Sequence, residues 1–359
     1  MLNVSPELEA LISCASHRPR HLLEAMITIP DTQKPTQPTL AERVSSIGIL
    51  DRLPPEIIFM LLGMLDIESI ASFVRASFRG NTYIKSLQAY RDLVAFAPQT
   101  LTALGKAGLL NLHSVTELHA ALRTERCASC VEYGAFLFLP TCERCCWECL
   151  RHNPSLRVLP PKEAKRYFAV SERHIQRLRT ISVIPGNYGI SRSPFPRSCR
   201  LVSVRAAKEL GLMVHGSADR LSQAMTTKCK SAGLRADGRF LQSDPVTSQN
   251  QDPLLLPSQG NIPTDKLFGM ASIPFPSLSA SGRLENGLWC RGCEITLHQY
   301  DSLRLPRRVL ATLVPRNRDA LLVLLGLERR ARSTGSFLEH IKHCYGIQQL
   351  VPRLTIGDD

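Results

Sequence analysis

The sequence predicts a mainly α-helical protein, in which an N-terminal group of helices is followed by small, loop-rich cysteine modules with short strands. Apolar residues recur at helical spacing between residues 47 and 124. Six of the 12 cysteines fall between residues 127 and 149. The 24 prolines interrupt the rest of the chain often enough to favour short elements.

The N-terminal helices are predicted from apolar spacing and from capping residues. The first helix has an apolar face made of Ile57, Ile58, Leu61, Leu62 and Leu65. The second has apolar residues at Ile67, Ile70, Ala71 and Val74. Asp66 can cap this second helix, a third covers residues 83–96, and Pro98 opens a fourth. Ser114 with Glu117 predicts a capping box for a fifth helix.

Composition divides the chain into segments. They are a flexible leader 1–46, a helical box 47–95, linking helices 96–124, a cysteine module 125–150, a helical region 151–240, a flexible insertion 241–266, a C-terminal region 267–347 and a tail 348–359. The apolar run at residues 135–139 predicts one buried strand. Ser171 and Ser203 are candidate helix caps, and Gly211 is a candidate helix stop.

Charge and hydropathy limit the compartment. The net charge of +13 permits contact with nucleic acid or acidic proteins, but it also fits a basic, solvated surface. We expect no membrane span, because no run of 18 apolar residues occurs. The N-terminus lacks the basic start of a secretory signal, so we expect a cytoplasmic or nuclear protein. In such reducing compartments, cysteines bind metals more often than they pair.

The segment CASCVEYGAFLFLPTCERCCWEC has the spacing of a zinc site. Cys127 and Cys130 form one Cys-x2-Cys turn, which presents two thiolates from a tight loop. Two further pairs compete to complete a tetrahedron: Cys142 with Cys145, and Cys146 with Cys149. Between Cys130 and Cys146 lie 15 residues, an interval typical of two-turn zinc sites, whereas the earlier pair leaves 11.

We therefore predict that Cys127, Cys130, Cys146 and Cys149 hold a structural zinc ion, with Cys145 as the first substitute. Four thiolates leave no coordination position for water or substrate. A disulfide is the main alternative, and a redox motif is disfavoured because no βαβ pattern surrounds the cysteines.

A second zinc site is predicted between two distant parts of the C-terminal region. The motif WCRGC provides one Cys-x2-Cys turn, and SFLEHIKHC provides a histidine and a cysteine four residues apart on one helix face. The predicted ligands are Cys290, Cys293, His340 and Cys344. Ser336 would cap this helix, and Phe337 with Ile341 would face the core. His343 is the rival ligand, and the alternative is two unpaired thiols beside a surface histidine.

The helical box resembles the F-box. The resemblance rests on Leu53-Pro54 with Glu56, the Ile/Leu face, Leu65-Asp66-Ile67, Ile70 and Phe73-Val74, in the order of that family. With the later segments TERCASCVEYGAFLFLPTCERCCWECL, WCRGC and FLEHIKHC, the chain is similar to a fungal family of F-box proteins with cysteine-rich modules. Gly63 departs from the pattern, since glycine inside a helix costs roughly 1 kcal/mol.

The resemblance implies that the box binds the Skp linker protein and, through it, a cullin–RING ubiquitin ligase. The implied contacts are Leu53, Pro54, Ile57, Ile58, Leu61 and Leu65, with Ile67, Ile70 and Val74 adding to the contact or supporting it. The chain would be a substrate-recognition adaptor, whose target protein the resemblance does not name. The alternative for this segment is a three-helix unit packed against its own chain.

Other classes of function are less well supported. No phosphate-binding loop, His-Glu-x-x-His or Gly-x-Ser-x-Gly motif is present, so we expect a protein that is not an enzyme. The cysteine cluster lacks the eight interleaved ligands of a RING. A zinc-dependent nucleic-acid-binding or regulatory protein is the alternative, although the basic residues do not form a row at groove-reading spacing.

Overall fold

The computed structural model describes residues 6–30, 45–231 and 266–350, and helices dominate them, which confirms the prediction of a mainly α-helical chain. The helices are α1 Pro6–Ala15, α2 Arg20–Leu23, α3 Pro55–Met64, α4 Ile67–Ala76, α5 Phe78–Ser86, α6 Gln88–Phe96, α7 Pro98–Ala107, α8 Val115–Arg123, α9 Trp147–His152, α10 Pro161–Tyr167, α11 Glu172–Ile175, α12 Val204–His215, α13 Ala218–Ser231, α14 Arg291–Asp301, α15 Arg307–Leu313, α16 Ala320–Arg329, α17 Thr334–His343 and α18 Tyr345–Leu350. None of the helices in these ranges combines the length and the apolar content that crossing a membrane requires.

Short strands form five small antiparallel sheets within the described ranges. The strands are β1 Ser16–His17, β2 Phe136–Phe138, β3 Glu143–Cys145, β4 Val158–Leu159, β5 Thr180–Ser182, β6 Gly186–Tyr188, β7 Ser193–Phe195, β8 Arg200–Ser203, β9 Ser272–Pro274, β10 Ser277–Leu278, β11 Leu284–Glu285 and β12 Trp289–Cys290. The sheet orders are β1-β12, β10-β11, β3-β2-β9, β4-β8-β5 and β6-β7.

The caps of the N-terminal helices follow the sequence closely. The Asp66 carboxylate accepts a hydrogen bond from the Ser69 backbone N–H at 2.8 Å and so begins α4. Ser114 and Glu117 form the predicted capping box of α8. The single helix predicted at residues 83–96 is wrong: Leu87 is extended and separates α5 from α6. Neither proline nor glycine marks that break in the sequence.

Gly63, which weakens α3 in isolation, is explained by packing. A Cβ atom at this position would lie 2.8 Å from the Thr116 hydroxyl, and that hydroxyl donates to the Gly63 carbonyl at 2.8 Å. The glycine therefore allows α8 to lie directly against α3. The helices share a core that includes Ile70, Leu104 and Leu118.

The apolar run at residues 135–139 forms a buried strand, as predicted. β2 lies between β3 and β9, and all three of its residues are buried. Leu137 pairs with Arg144 on one side and with Ile273 on the other. A strand from the C-terminal region thereby completes the sheet of the cysteine module, which sequence spacing alone does not reveal.

The region 151–240 is not purely helical. Besides α10–α13 it contains the β4-β8-β5 sheet and the β6-β7 hairpin, and the central strand β8 buries Leu201 and Val202. Ser171 caps α11 as expected, whereas Ser203 lies at the N-cap of α12 without a side-chain bond. α12 continues through Gly211 and ends at Gly216, whose φ of 76° is left-handed.

The predicted loose leader is ordered over the part that the structure describes, residues 6–30. Ser16 pairs with Cys290, and the Ile27 N–H donates to the Ser272 carbonyl at 2.9 Å. Leu22 and Met26 are fully buried in the main core. The correction has a simple cause: burial of these apolar side chains stabilises the segment, although its short helices carry little signal alone.

The remaining segment predictions fall partly outside the described residues. The flexible insertion 241–266 lies outside them except for its last residue, as does the proline- and threonine-rich part of the leader after residue 30. The tail begins later than predicted, because residues 348–350 complete α18.

Candidate functional site

The first predicted ligand set converges in the structure. Cys127, Cys130, Cys146 and Cys149 place their sulfur atoms within 4.8 Å of one another, and all four residues are buried. The first pair lies in the turn that precedes β2. The second pair begins α9, with Cys146 at the N-cap.

Local hydrogen bonds fix both turns. The Ser129 N–H donates to the Cys127 sulfur at 3.4 Å, and the Cys149 N–H donates to the Cys146 sulfur at 3.4 Å. The backbone N–H of Ala128 donates to the Arg144 carbonyl at 2.7 Å and so ties the first turn to β3. Each turn therefore holds its sulfur atoms toward the same point.

The distances fit tetrahedral coordination. Four sulfurs about 2.3 Å from one zinc ion lie about 3.8 Å apart at tetrahedral angles. The Cys130 and Cys146 sulfurs are 3.7 Å apart, and none of the four cysteines is in a disulfide. The arrangement can hold one metal ion and leaves no side for a substrate, because every ligand position is taken by protein.

The electrostatics of the four thiols also favour a cation at their centre. Hydrogen bonds from the neighbouring thiols, first from Cys130, hold the pKa of Cys127 well below its ordinary value. The same contacts raise the pKa of Cys146 and Cys149. One thiolate is thus stabilised at the expense of the others, and all four can ionise together only when a positive ion compensates their charges.

The competing cysteines are not part of this set. Cys145 is fully buried and donates to the Glu143 carbonyl at 3.4 Å, and burial raises its pKa. Cys142 lies in the turn between β2 and β3 with a φ of 54°, and burial raises its pKa to about 12. The pair Cys146 and Cys149, which the spacing favoured over Cys142 and Cys145, is therefore the pair that joins Cys127 and Cys130 in the structure.

The second predicted set also converges. Cys290, Cys293, His340 and Cys344 place their ligand atoms within 4.8 Å of one another. The first two begin α14, His340 lies on the last turns of α17, and Cys344 is the residue that ends this helix. The rival His343 is exposed, whereas Phe337 and Ile341 are buried as expected. The helix starts earlier than predicted, with Ser333 at its N-cap in place of Ser336.

The geometry of this second set fits the coordination of one metal ion by three sulfur atoms and one nitrogen atom. The Cys290 and Cys344 sulfurs are 3.6 Å apart, and the Cys293 sulfur lies 3.3 Å from Nε2 of His340. Hydrogen bonds from Cys290 and Cys293 hold the pKa of Cys344 well below its ordinary value. The pKa of Cys290 is raised to about 11, to which the bond with Cys344 and burial both contribute.

Two glycines bring α14 and α18 together beside this set. A Cβ atom at Gly346 would lie 1.9 Å from the Gly292 carbonyl oxygen, and one at Gly292 would lie 2.8 Å from the Cys344 sulfur. Only glycine fits at such distances. The contact therefore sets the position of Cys344 relative to the Cys290 turn.

Gly346→Ala is expected to remove the second metal site and to lower the melting temperature. The added methyl group must push α18 from α14, and overpacking of this kind costs roughly 1–3 kcal/mol or more. Elemental analysis should show the loss of about one metal ion per chain. Gly335→Ala is the control, because a Cβ atom there meets nothing within 4 Å, and a helical Gly→Ala change is neutral or stabilising. Equal metal content and stability in both variants would contradict this account.

The residues implied to contact the linker protein separate into three groups. Three are buried in the chain's own core: Ile58, Ile67 and Ile70. Three are half-buried and packed against it: Leu53, Leu65 and Val74. Three are exposed: Pro54, Ile57 and Leu61. A partner could not reach the first group in this conformation, so a direct contact role does not hold for Ile58, and these residues support the helices from inside.

One side of α3 forms an exposed apolar surface. Its members, which we call the α3 apolar face, are Ile57, Met60, Leu61 and Met64, and they are 41, 67, 44 and 74% exposed. They recur at i, i+3, i+4 and i+7, so they line one side of the helix. Ile49, 76% exposed, lies in the 3-10 turn Gly48–Arg52 just before this helix. Met60 and Met64 were not predicted to belong to this face, because apolar residues lie on both sides of α3 and the spacing alone does not separate the two sides.

Arg144 is the structural residue that sequence reasoning missed. It is 3% exposed, and its guanidinium donates to four backbone carbonyls: those of Ala121 and Phe275 at 3.2 and 3.1 Å, and those of Gly134 and Pro276. Burial lowers its pKa to about 10, so it remains a cation near neutral pH. An arginine within a cysteine motif gives no sign in the sequence of this role.

No family model matches the chain, and no curated protein or solved structure is significantly similar to it. The two ligand sets and the α3 apolar face are the features that bear on its function.

Proposed function

We propose that this protein is a non-catalytic, substrate-recognition adaptor of a Skp–cullin–F-box ubiquitin ligase, and that two structural zinc ions stabilise its folded state. The single observation that carries the adaptor function is the α3 apolar face. The two ligand sets, each able to hold a metal ion, carry the structural part. In this function, the α3 apolar face binds the Skp linker protein, and the rest of the chain presents the target.

Zinc is the metal that best fits both sets. Zinc favours four-coordinate tetrahedral sites made of cysteine and histidine, and closed sites of this kind are structural. Carboxylate oxygens, which calcium and magnesium prefer, do not belong to either set. Each site joins segments that are not adjacent in sequence: the second joins the start of α14 to the end of α17.

The exposure of the α3 apolar face supports a partner. Four large apolar side chains on one helix face, and Ile49 in the preceding turn, are 41–76% exposed, and each would gain part of the roughly 1.5–3 kcal/mol that complete burial of such a side chain contributes. Such patches mark protein interaction sites. The box that carries this face resembles the F-box in its leucine-proline start and helix order, and that resemblance names the linker protein as the occupant.

The double variant Ile57→Asp with Leu61→Asp is expected to abolish co-purification with the Skp linker protein. Each carboxylate would be buried unpaired in the interface, and central interface residues carry about 2–4 kcal/mol each, so affinity should fall at least about 100-fold. Zinc content should stay at about two ions per chain. Because both side chains are exposed in the free protein, the variant should fold normally.

Met213→Asp with Val214→Asp is the matched control, since these exposed apolar residues lie on α12. It should keep linker binding. Retention of the linker by the α3 variant would reject the adaptor function and leave the zinc sites intact. A wild-type chain that purifies without zinc would reject the structural metal sites instead.

A further inference from the structure

The turn after α14 carries an unusual leucine. Leu303 is 94% exposed and has a φ of 58°, in the left-handed region that glycine adopts freely and other L-residues rarely do. Its N–H donates to the Tyr300 carbonyl at 3.0 Å, and the Arg304 N–H donates to the Gln299 carbonyl at 2.7 Å. These two bonds define a Schellman motif, in which Leu303 takes the left-handed position that glycine usually occupies.

Leucine at this position costs free energy twice. Its backbone is in an unfavourable conformation, and its side chain is left in water. The hydrophobic contact that often accompanies the motif is also missing, because the next position is the exposed Arg304. Glycine would form the same turn at lower cost, so the folded chain itself gives no reason for a leucine here.

Several arginines follow this leucine closely in the sequence. Four are exposed and form no ion pair with any residue that the structure describes: Arg304, Arg307, Arg308 and Arg316. Two aspartates accompany five arginines between residues 301 and 319, and the Asp319 carboxylate is used to cap α16, where it accepts from the Leu322 N–H at 3.0 Å. The segment therefore combines an excess of exposed positive charge with an exposed apolar side chain.

We propose that the surface formed by Leu303, Arg304, Arg307, Arg308 and Arg316, here the Leu303 surface, binds a carboxylate-rich segment of a partner protein. Arginine forks pair bidentately with carboxylates, and an apolar side chain of the partner covers Leu303. α15 is about 10 Å long at 1.5 Å per residue, so an extended segment of a few residues spans the arginines on either side of it.

The chemistry of the surface favours a protein segment over a nucleic acid. Sequence-independent binding of single strands uses aromatic side chains on which bases stack, and residues 303–322 contain no Phe, Tyr or Trp. Leu321 and Leu322, 40 and 49% exposed, add apolar area at the start of α16. A phosphate backbone has no apolar group that could pack against these leucines, whereas an acidic peptide with apolar side chains has such groups.

In the adaptor function proposed above, this segment belongs to the ubiquitylation target, and that identification rests on the proposed function. Binding of an acidic segment to the Leu303 surface does not depend on the proposed function. It is tested with the full-length, zinc-loaded chain alone, by fluorescence anisotropy with a labelled synthetic peptide in which glutamates flank two leucines. A peptide with serines in place of the leucines, and a single-stranded DNA of equal net charge, are the comparison probes.

Two changes to the Leu303 surface test its two components. Arg304→Glu with Arg307→Glu and Arg308→Glu is expected to weaken peptide binding about tenfold or more, as the sum of modest ion pairs, and added salt should weaken wild-type binding. Leu303→Gly is expected to weaken binding of the leucine peptide about threefold or more, because apolar burial is lost. It should keep or raise the melting temperature, since glycine fits the turn. The leucine-free peptide should not distinguish Leu303→Gly from wild type.

The matched control reverses three exposed arginines in another part of the chain, at Arg173, Arg177 and Arg179. It should leave peptide affinity within about twofold of wild type once salt is physiological. The inference is overturned if wild type does not bind the peptide, if both triple variants weaken it equally, if Leu303→Gly changes nothing, or if DNA binds more tightly than the peptide. Loss of linker binding by the α3 variants is a separate measurement, so either proposal can fail alone.

Discussion

Cys146→Ser is expected to unfold the cysteine module around residues 127–150 and to lower the melting temperature of the whole chain. The serine hydroxyl does not ionise near neutral pH, so the first set would lose one of its four ligands. A structural zinc ion contributes an apparent 10–16 kcal/mol in small zinc modules, which exceeds the net stability of most domains. Elemental analysis should show about one zinc ion per chain, and proteolysis should begin inside the module.

Cys142→Ser is the control for this experiment. Cys142 lies in the same segment but outside the ligand set, so its replacement should leave zinc content unchanged and should alter stability by about 1 kcal/mol at most. If Cys142→Ser were instead the variant that loses zinc, the ligand assignment would be wrong. A chelator, which removes the ion from both ligand sets, should destabilise the wild-type protein at least as much as Cys146→Ser does.

Arg144→Met is expected to destabilise the chain by about 3–5 kcal/mol without removing a metal ligand. Methionine fills much of the volume but leaves four buried or half-buried carbonyls without the cation that bonds them, and unsatisfied groups of this kind cost about 1–3 kcal/mol each before relaxation. Chemical denaturation would measure the loss, and zinc content should stay at about two ions per chain under native conditions.

Lys165→Met is a suitable control for the arginine variant. Lys165 forms a surface ion pair with Glu172 at 3.1 Å, and both side chains are largely exposed. Exposed pairs contribute little, so the midpoint of unfolding should hardly move. Similar midpoints for the two variants would show that the Arg144 network does not stabilise the fold.

Local chemistry made part of this protein predictable. The caps at Asp66 and Ser114 were predicted because each depends on residues three positions apart. The ligand pairs were predictable for the same reason, since a Cys-x2-Cys turn is complete within four residues. The second ligand set was also predictable, although its two halves are distant in sequence, because few other cysteines and histidines in the C-terminal region could complete it.

The rest depends on contacts between distant residues. The order of the leader depends on docking of Ile27 to Ser272 and of Ser16 to Cys290, and neither partner can be identified from the segment itself. The helix break at Leu87 could not be predicted, because no glycine or proline marks it in the sequence. Which side of α3 is buried depends on where α8 packs against it. The sequence of α3 is apolar on both sides, so it does not show which side α8 covers.

The placement of β2 between β3 and β9 has a consequence for folding during synthesis. The β2–β3 hairpin joins Phe136 to Cys145, only nine positions apart, so both Cys-x2-Cys turns can meet and bind a metal ion soon after they leave the ribosome. The other edge of β2 must wait for β9, and Arg144 must wait for the Phe275 carbonyl, 131 positions later. At about 5–20 residues per second, these 131 positions take roughly 7–26 seconds to synthesise, and during that time the outer edge of β2 stays open to pairing with other chains.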